Sequence, residues 1–273
     1  MLANKMDTKK FTHKKSLGQN FLTSDFVPKK MCDAANIKSN DVVLEIGPGS
    51  GALTREIMLR GAKVIAVEAD LRAIGLLQED FAEKIACGKL IVHHQDAREI
   101  SPEKLGLKAG EFKVVANIPY YLSGLLFRKI LDNNTRPEIL VFLIQKEVAE
   151  RIARDKKESL LSLSIKFFGN PTYICTVKRG HFTPPPKVES AIVAVSNIRQ
   201  DKSTPADTLF FSLIHLGFAQ KRKQLLGNLS AVYQRENLLL VFNKLDIAIN
   251  IRAEDIKLTT WLKLSRELAL LDT

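Results

Sequence analysis

Short apolar runs alternate with segments of helical periodicity along the first 200 residues of the chain. Runs with the length of buried strands lie at residues 42–46, 63–67, 90–93, 113–116, 139–144, 172–177 and 191–196. Leu53 and Ile57 are four residues apart and indicate a helix after the first run, which Gly61 can end. Ile74 and Leu77 are also at helical spacing, after the second run. This alternation predicts an α/β fold with a mostly parallel, doubly wound sheet of seven strands.

The pattern changes near residue 200, where the chain becomes polar and contains Pro205. No alternation of strands follows, and Phe210 and Ile214 recur at helical spacing. Further helical segments, one of which carries Trp261, continue to the end of the sequence. We therefore predict two domains, an α/β domain over residues 1–200 and a small all-helical domain over residues 201–273.

Composition adds a basic character to this outline. Hydrophobic residues make up 45% of the 273 positions, which is enough for a sizeable core and excludes disorder of the whole chain. The formal net charge is +11, from 41 Lys and Arg against 30 Asp and Glu. Such an excess favours a polyanionic partner, with nucleic acid ahead of an anionic membrane surface. A basic soluble protein without such a partner is the alternative.

Cysteine usage and hydropathy indicate the compartment. Cys32, Cys87 and Cys175 are far apart, so they predict neither a disulfide framework nor a zinc site and are typical of a reducing environment. His93 and His94 lack further ligand spacing, and we expect no metal site. The apolar runs are too short to span a bilayer, and the first residues lack the apolar core of a signal peptide. We expect a cytoplasmic protein.

A glycine-rich turn follows the first predicted strand. The sequence EIGPGSG at residues 45–51 opens a predicted helix, and Gly47, Gly49 and Gly51 permit positive φ and close approach of a ligand to the backbone. Together with Ala52, the spacing also satisfies the dinucleotide fingerprint. Glu68 ends the second predicted strand and can reach a ribose diol above the glycine turn. Both NAD and S-adenosylmethionine contain such a ribose, so these residues leave the two cofactors open.

Asp96 follows the third predicted strand. A carboxylate at that position can accept a hydrogen bond from an adenine amino group. It can equally cap the start of a helix, which is the alternative for this residue alone.

The sequence NIPY at residues 117–120 follows the fourth predicted strand, at the sheet edge where ligands bind. An exocyclic adenine amine is a poor nucleophile because its lone pair is delocalised into the ring. Acceptors at its hydrogens, such as the Asn117 side-chain oxygen and the Ile118 carbonyl, favour a tetrahedral nitrogen and free that lone pair. Pro119 stiffens the turn, and Tyr120 offers a flat face to a base. An ordinary Asn-X-Pro turn is the alternative.

Several segments together resemble one family. They are KSLGQNFL at residues 15–22, the glycine turn, NIPY, FTPPPKV at residues 182–188 and FAQKRKQL at residues 218–225, in this order. This set is similar to that of the ribosomal RNA adenine dimethyltransferases, the KsgA family, over essentially the whole chain. The resemblance implies a Rossmann-like methyltransferase domain with S-adenosyl-L-methionine as cofactor. It also implies dimethylation of N6 on two neighbouring adenines in a hairpin near the 3′ end of small-subunit rRNA.

The resemblance also implies roles for individual residues. Asn20 and Leu22 close over the methionine end of the cofactor, and the turn at Gly47 carries its backbone. Glu68 holds the ribose, and Asp96 holds the adenine amine.

On the substrate side, the resemblance makes Asn117 a contact to both the cofactor and the target nitrogen. Tyr120 and Phe182 sandwich the adenine, which must leave its stack to reach the pocket. Two positions depart from the family pattern: Tyr121 stands where a smaller polar residue is frequent, and Glu189 where Asp is common. Tyr121 can alter how RNA reaches the pocket.

Basic residues on both sides of the predicted pocket are candidates for phosphate contacts, which position RNA without reading its sequence. A lysine-rich arm precedes residue 16. The candidates are Lys14, Lys15, Lys187, Lys221, Arg222 and Lys223. A solvated helix face is the alternative for the last three. The expected partner is small-subunit rRNA in a pre-30S particle. We expect the protein to act as a monomer and to bind no membrane.

Three other functions remain open at this stage. An Erm-type enzyme that methylates 23S rRNA shares the cofactor and the Asn-X-Pro-Tyr sequence. A ribosome-assembly or transcription factor of the same fold would act mainly by binding, although the intact sequence at Asn117 favours catalysis. An NAD-dependent oxidoreductase is the third, and the chain shows no hydride-transfer residues after its fifth predicted strand.

Overall fold

The computed structural model describes residues 20–270. Within them, the strands are β1 Phe21–Leu22, β2 Val42–Ile46, β3 Lys63–Glu68, β4 Leu90–His94, β5 Lys113–Asn117, β6 Ile139–Gln145, β7 Asn170–Val177, β8 Phe182–Thr183 and β9 Ser190–Ser196. The helices are α1 Phe26–Ala34, α2 Ala52–Leu59, α3 Leu71–Asp80, α4 Ala82–Ala86, α5 Ser123–Leu131, α6 Lys146–Ala153, α7 Leu160–Phe168, α8 Pro205–Gly217, α9 Leu225–Leu229, α10 Arg235–Lys244 and α11 Leu258–Ala269.

Seven strands form one sheet in the order β4-β3-β2-β5-β6-β9-β7. The five strands from β4 to β6 in this order are parallel to their neighbours. Strand β9 is antiparallel to both β6 and β7. The predicted seven-stranded, mostly parallel sheet is therefore confirmed, and parallel strands leave their carboxyl ends together at one edge.

Helices cover both faces of this sheet. Val64 and Ala66 of β3 are buried in one apolar cluster, whereas the alternate residues Ile65 and Val67 are buried in a second. Successive side chains of a strand point to opposite faces, so the two clusters lie on either side of the sheet. Burying each such aliphatic side chain stabilises the fold by about 1.5–3 kcal/mol. This two-sided burial explains why inner strands such as β3 are nearly continuous apolar runs in the sequence.

Residues 205–270 contain helices and turns around a third apolar cluster that includes Trp261. Helix α8 begins at a capping box, in which Thr204 Oγ1 accepts from the Asp207 amide and the Asp207 carboxylate accepts from the Thr204 amide. Phe210 stacks on Phe167 of α7 with ring centroids 4.6 Å apart. Leu163 of α7 belongs to the same cluster, so the C-terminal helices share a core with the α/β fold. The domain boundary near residue 200 stays a prediction.

A second, two-stranded sheet pairs β1 with β8 in antiparallel register, with Leu22 opposite Phe182. It ties the chain before α1 to the segment after β7. Strands of two residues show no periodicity, and the sequence did not predict this pair. In the part of the chain that the structure describes, no helix has both the length and the apolar composition needed to cross a bilayer.

Candidate active site

A cleft opens at the carboxyl ends of β2, β3, β4 and β5, where the loops after these strands line it together with Asn20, Phe21 and Leu22. Its empty volume, counted to the open mouth, is about 1200 Å³. Asn117 and Glu68 both line this cleft. Residues at the ends of two different strands therefore share one cleft.

The glycine turn after β2 forms one wall of the cleft. Gly47, Gly49 and Gly51 have φ values of +68°, +55° and +78°. A Cβ on Gly49 would lie 2.9 Å from the Phe21 ring, so this position needs glycine for space as well as for backbone conformation. A Cβ on Gly51 would lie 2.7 Å from the Phe81 ring, and Gly51 is absent from the cleft lining among the described residues. Gly51 therefore serves helix packing, whereas Gly47 and Gly49 face the cleft.

The Glu68 carboxylate is fixed by backbone amides. Oε1 accepts from the amides of Ala69 and Asp70, each at 2.9 Å, and Oε2 accepts from the Gly49 amide at 3.1 Å. A carboxylate offers about four acceptor positions, so one remains on Oε2 for a ligand donor. The side chain is buried and lines the cleft. Glu68 thus couples the end of β3 to the glycine turn and presents one free acceptor.

Glu45 lines the same cleft, although its sequence pattern predicts no role for it. Thr54 Oγ1 donates to Glu45 Oε2 at 2.7 Å, while Oε1 is buried without a partner among the described residues. Burial raises the pKa of Glu45 from 4.5 to about 8, and the Thr54 hydrogen bond opposes this rise only in part. An unpartnered buried oxygen in a cleft is a position where a ligand donor or a water is expected.

Asp96 follows β4 and lines the cleft opposite the glycine turn. It caps a 3-10 turn at Ala97–Glu99, and its Oδ1 accepts from the Arg98 amide at 2.8 Å. The Arg98 guanidinium pairs with the same carboxylate and lowers the pKa of Asp96. Asp96 therefore caps a helical turn and also lines the cleft, and its hydrogen bond with an adenine amino group stays a prediction.

The Asn117 side chain ends β5 and reaches toward the N-terminal segment. Its Nδ2 donates to the Asn20 carbonyl at 3.1 Å, which leaves Oδ1 as the acceptor of this amide. Ile118 and Pro119 also line the cleft, and the Ile118 side chain is buried in the core. Because that side chain points into the core, Ile118 can contribute to cleft chemistry only through its backbone.

Tyr120 is fixed at its hydroxyl. The phenolic oxygen lies 2.6 Å from Ser190 Oγ at the start of β9, and the Tyr120 carbonyl accepts from Ser123 Oγ at 2.8 Å. Burial raises the pKa of Tyr120. Both ends of the residue are held, so the orientation of its ring is set by β9 and α5. Ser190 was not among the predicted site residues, because a contact across 70 positions leaves no local pattern.

Phe182 does not lie where it could stack on an adenine opposite Tyr120, as predicted. Its side chain is 3% exposed and packs in the apolar cluster that also contains Val27 and Val177. The structure does not bring it to the lining of the cleft within residues 20–270. Tyr121, the family departure, is 68% exposed at the cleft mouth.

The basic candidates are at the surface where the structure describes them. Lys187 is exposed between β8 and β9. Lys221, Arg222 and Lys223 are exposed in the turn between α8 and α9, since α8 ends at Gly217. They occupy a turn and not a helix face. Lys14 and Lys15 lie outside the described residues.

The family model for ribosomal RNA adenine dimethylase matches residues 10–270. The chain belongs to this family. It is 39% identical over 263 residues to the ribosomal RNA small subunit methyltransferase A of Dehalococcoides mccartyi, covering 94% of this chain and 88% of that one. The protein of the same name from Fusobacterium nucleatum is 34% identical, covering 93% of this chain and 97% of that one.

Two solved structures share the fold. A dimethyladenosine transferase from Plasmodium falciparum superposes with a TM-score of 0.74 at 28% identity, covering 92% of this chain and 98% of that one. The 23S rRNA methyltransferase ErmE superposes with a TM-score of 0.74 at 24% identity, covering 92% of this chain and all of that one. The Rossmann-like methyltransferase fold with C-terminal helices is thereby confirmed.

Family membership makes the chain a methyltransferase that uses S-adenosyl-L-methionine, and the NAD alternative is rejected. The residues fit this group. The cleft presents a free acceptor position on Glu68 and an unpartnered carboxyl oxygen on Glu45, and the ligand carries ribose hydroxyls, an ammonium group and an amine as donors. Gly47 and Gly49, both at positive φ, carry no side chain, so a ligand can approach the backbone of this turn closely.

Proposed function

We propose that this protein dimethylates N6 of two adjacent adenines near the 3′ end of small-subunit rRNA. The observation that carries the proposal is similarity over almost the full length to proteins named ribosomal RNA small subunit methyltransferase A, at 31–39% identity. The substrate is the rRNA of a pre-30S particle, and the enzyme acts as a cytoplasmic monomer. The net charge of +11 supports a nucleic-acid partner.

The glycine turn and the ends of β3 and β4 would hold the cofactor between them. Glu68 accepts hydrogen bonds from the ribose hydroxyls, and Asp96 accepts one from the adenine amine. Gly47 and Gly49 allow the backbone to approach, while Asn20 and Leu22 cover the methionine end. When bound, S-adenosylmethionine supplies an electrophilic methyl group on a sulfonium. The fixed carboxylate of Glu68 supports this arrangement, because its three amide partners hold it before any ligand arrives.

The target adenine is activated by acceptors after β5. Asn117 Oδ1 and the Ile118 carbonyl accept the two hydrogens of the N6 amine, which makes the nitrogen lone pair available for attack. Bound S-adenosylmethionine would supply the methyl group to this nitrogen, and the proton that N6 loses would pass to solvent water. The bond from Asn117 Nδ2 to the Asn20 carbonyl supports this role, because it directs Oδ1 away from that carbonyl.

The flipped base rests on Tyr120, whose ring is fixed through Ser190. A stack of this kind contributes about 1–3 kcal/mol. Phe182 on the second face stays a proposal, since its ring must leave the core to reach a base.

RNA is held by phosphate contacts around the cleft. Lys187 and the cluster Lys221, Arg222 and Lys223 are exposed and free to meet a backbone phosphate. Lys14 and Lys15 extend this set as a sequence-based prediction.

Methylation of purified ribosomal subunits with radiolabelled S-adenosylmethionine tests the proposal. Label is expected in small-subunit rRNA as dimethyladenosine. Label confined to large-subunit rRNA would favour an Erm-type activity, which at present rests on a shared fold at 24% identity. Binding of the small subunit without any label would favour an assembly factor.

A further inference from the structure

Arg98 lines the cofactor cleft and is bonded to Asp96. Its Nη2 donates to Oδ2 at 2.6 Å, and its Nε lies 3.0 Å from Oδ1 and 3.1 Å from Oδ2. The Arg98 amide donates to Oδ1 at 2.8 Å. Each donor that reaches this carboxylate within the described residues therefore comes from Arg98.

This pairing uses the acceptor positions of Asp96 unequally. Oδ1 receives two donors, the amide and Nε, which fill its lone pairs. Oδ2 receives Nη2 and only a shared interaction with Nε, so it keeps room for one outside donor. The Asp96 side chain is 33% exposed, and the backbone amide at position 98 alone would hold Oδ1 but leave the plane of the carboxylate free to turn. Arg98 fixes both the plane of the carboxylate and the oxygen that stays available.

We propose that Arg98 is a positioning residue that sets the preference of the cleft for a 6-amino purine over a 6-oxo purine. The inference rests on the proposed contact between Asp96 and the cofactor adenine. Oδ2 of a fixed carboxylate accepts from the N6 amine of adenine, whereas the 6-oxo group of hypoxanthine presents a second acceptor to it. A site built to bind a donor rejects an analogue that lacks the donor, because its acceptor is left unpaired.

Two features support arginine in this role. A guanidinium is planar and bonds a carboxylate through two parallel donors, which lysine cannot reproduce. The same bonds lower the pKa of Asp96, so the carboxylate stays an acceptor without a proton. The guanidinium remains 67% exposed, so its fork is held by Asp96 and not by packing in the core.

Calorimetry with two unreactive probes tests the proposal. The probes are S-adenosylhomocysteine and S-inosylhomocysteine, which differ at the purine 6-position. The unmodified protein is expected to bind the adenosyl compound roughly 10–100-fold more tightly, the range of a charge-assisted hydrogen bond. In Arg98→Met, the backbone amide still holds Oδ1, and this ratio falls by about 3–10-fold because the plane of the carboxylate is no longer fixed. Arg98→Lys gives an intermediate ratio, because the charge is kept and the fork is lost.

Arg151→Met is the matched control. Arg151 pairs with Glu147 at 2.8 Å on the surface of α6, and neither is found among the described residues that line the cleft. In Arg151→Met, the ratio of the affinities for the two probes is expected to equal that of the unmodified protein. Thermal unfolding of each variant reports on the fold, and should Arg98→Met be unfolded, the ratio in Arg98→Lys decides alone.

Asp96→Asn separates this inference from the proposed function. Asparagine can donate to a 6-oxo group, so the variant should lose the preference for the adenosyl probe. An unchanged ratio in the Arg98 variants, with loss in Asp96→Asn, would overturn the role of Arg98 alone. A preference that rises in Arg98→Met would show that Arg98 competes with the purine, and would overturn it too. If the unmodified protein binds neither probe, the cofactor assignment itself is wrong.

Discussion

At the scale of single residues, the two ends of the Asn117 amide have different partners. Nδ2 is committed to the Asn20 carbonyl, so Oδ1 is the group available to an incoming amine. Asn117→Ala removes this acceptor and leaves the basic surface intact. We expect RNA affinity to be kept while methyl transfer falls by about a hundredfold or more, as for other lost transition-state contacts.

Single-turnover methylation and RNA binding, measured on the same preparations, check this expectation. Asn134→Ala, an exposed asparagine between α5 and β6, serves as the control and should behave as the unmodified protein. Full activity in Asn117→Ala would mean that the residue has been given the wrong role.

The second prediction at this scale concerns the proton on Glu45. Its pKa is raised to about 8 in the folded protein from 4.5, so the folded state holds a proton that the unfolded chain releases near pH 4.5. The resulting stabilisation is complete below that pH and is lost as pH rises to about 8. Glu45→Gln cannot ionise and so avoids this loss. Above pH 8, its free energy of unfolding should exceed that of the unmodified protein by the order of a few kcal/mol.

Urea unfolding between pH 5 and 9, without cofactor, measures this difference. The difference in free energy of unfolding between Glu45→Gln and the unmodified protein should grow with pH and level off above about pH 8. Glu103→Gln, at an exposed position, should show no such trend. A constant difference across the range would contradict the assigned protonation.

At the residue scale, the sequence predicted those groups whose place follows from a strand end. Glu68, Asp96 and Asn117 come at or just after buried strands, and parallel strands bring such positions together. Arg98 and Ser190 were missed. Their roles depend on which way a side chain turns and on a contact between distant segments, and neither leaves a local pattern.

At the scale of elements, the turn between β2 and α2 tolerates side chains poorly at its glycine positions. Gly49→Ala combines a left-handed φ of +55° with a Cβ 2.9 Å from Phe21. The conformation alone costs roughly 1–2 kcal/mol. We expect lower stability and much weaker binding of S-adenosylhomocysteine, since Phe21 and the turn both line the cleft.

Gly75→Ala provides the matched control within α3. Gly75 has ordinary helical backbone, and no atom lies within 4 Å of a Cβ built there. Alanine in a helix is favoured over glycine by about 0.5–1 kcal/mol, so this variant should be more stable with unchanged binding. Thermal unfolding and calorimetry measure both quantities. Equal effects of the two substitutions would refute the argument from φ and space.

Five of the seven main strands, β2, β3, β5, β6 and β9, were predictable because burial on both sides makes each a largely apolar run. The edge strands β4 and β7 are only partly buried and have weaker apolar patterns. The pairing of β1 with β8 was not predictable, since two residues carry no period. The turn holding Lys221 to Lys223 was likewise misjudged as a possible helix face, because helix ends are set by caps and packing.

At the scale of the whole molecule, the net charge of +11 makes RNA binding depend on salt. The triple variant Lys221→Gln, Arg222→Gln, Lys223→Gln removes three candidate phosphate contacts. We expect weaker binding to all RNA sequences and a log–log salt slope smaller by roughly 2–3, if each contact releases close to one counterion. Binding titrations from 50 to 300 mM salt check this, and an unchanged slope would exclude these side chains from the interface.

Mass spectrometry of rRNA from cells that lack this protein shows whether it dimethylates small-subunit rRNA. The two dimethyladenosines near the 3′ end of small-subunit rRNA should disappear in these cells. They should return with the unmodified protein and not with Asn117→Ala. Small-subunit rRNA that keeps both modifications, or a loss confined to large-subunit rRNA, would contradict the account.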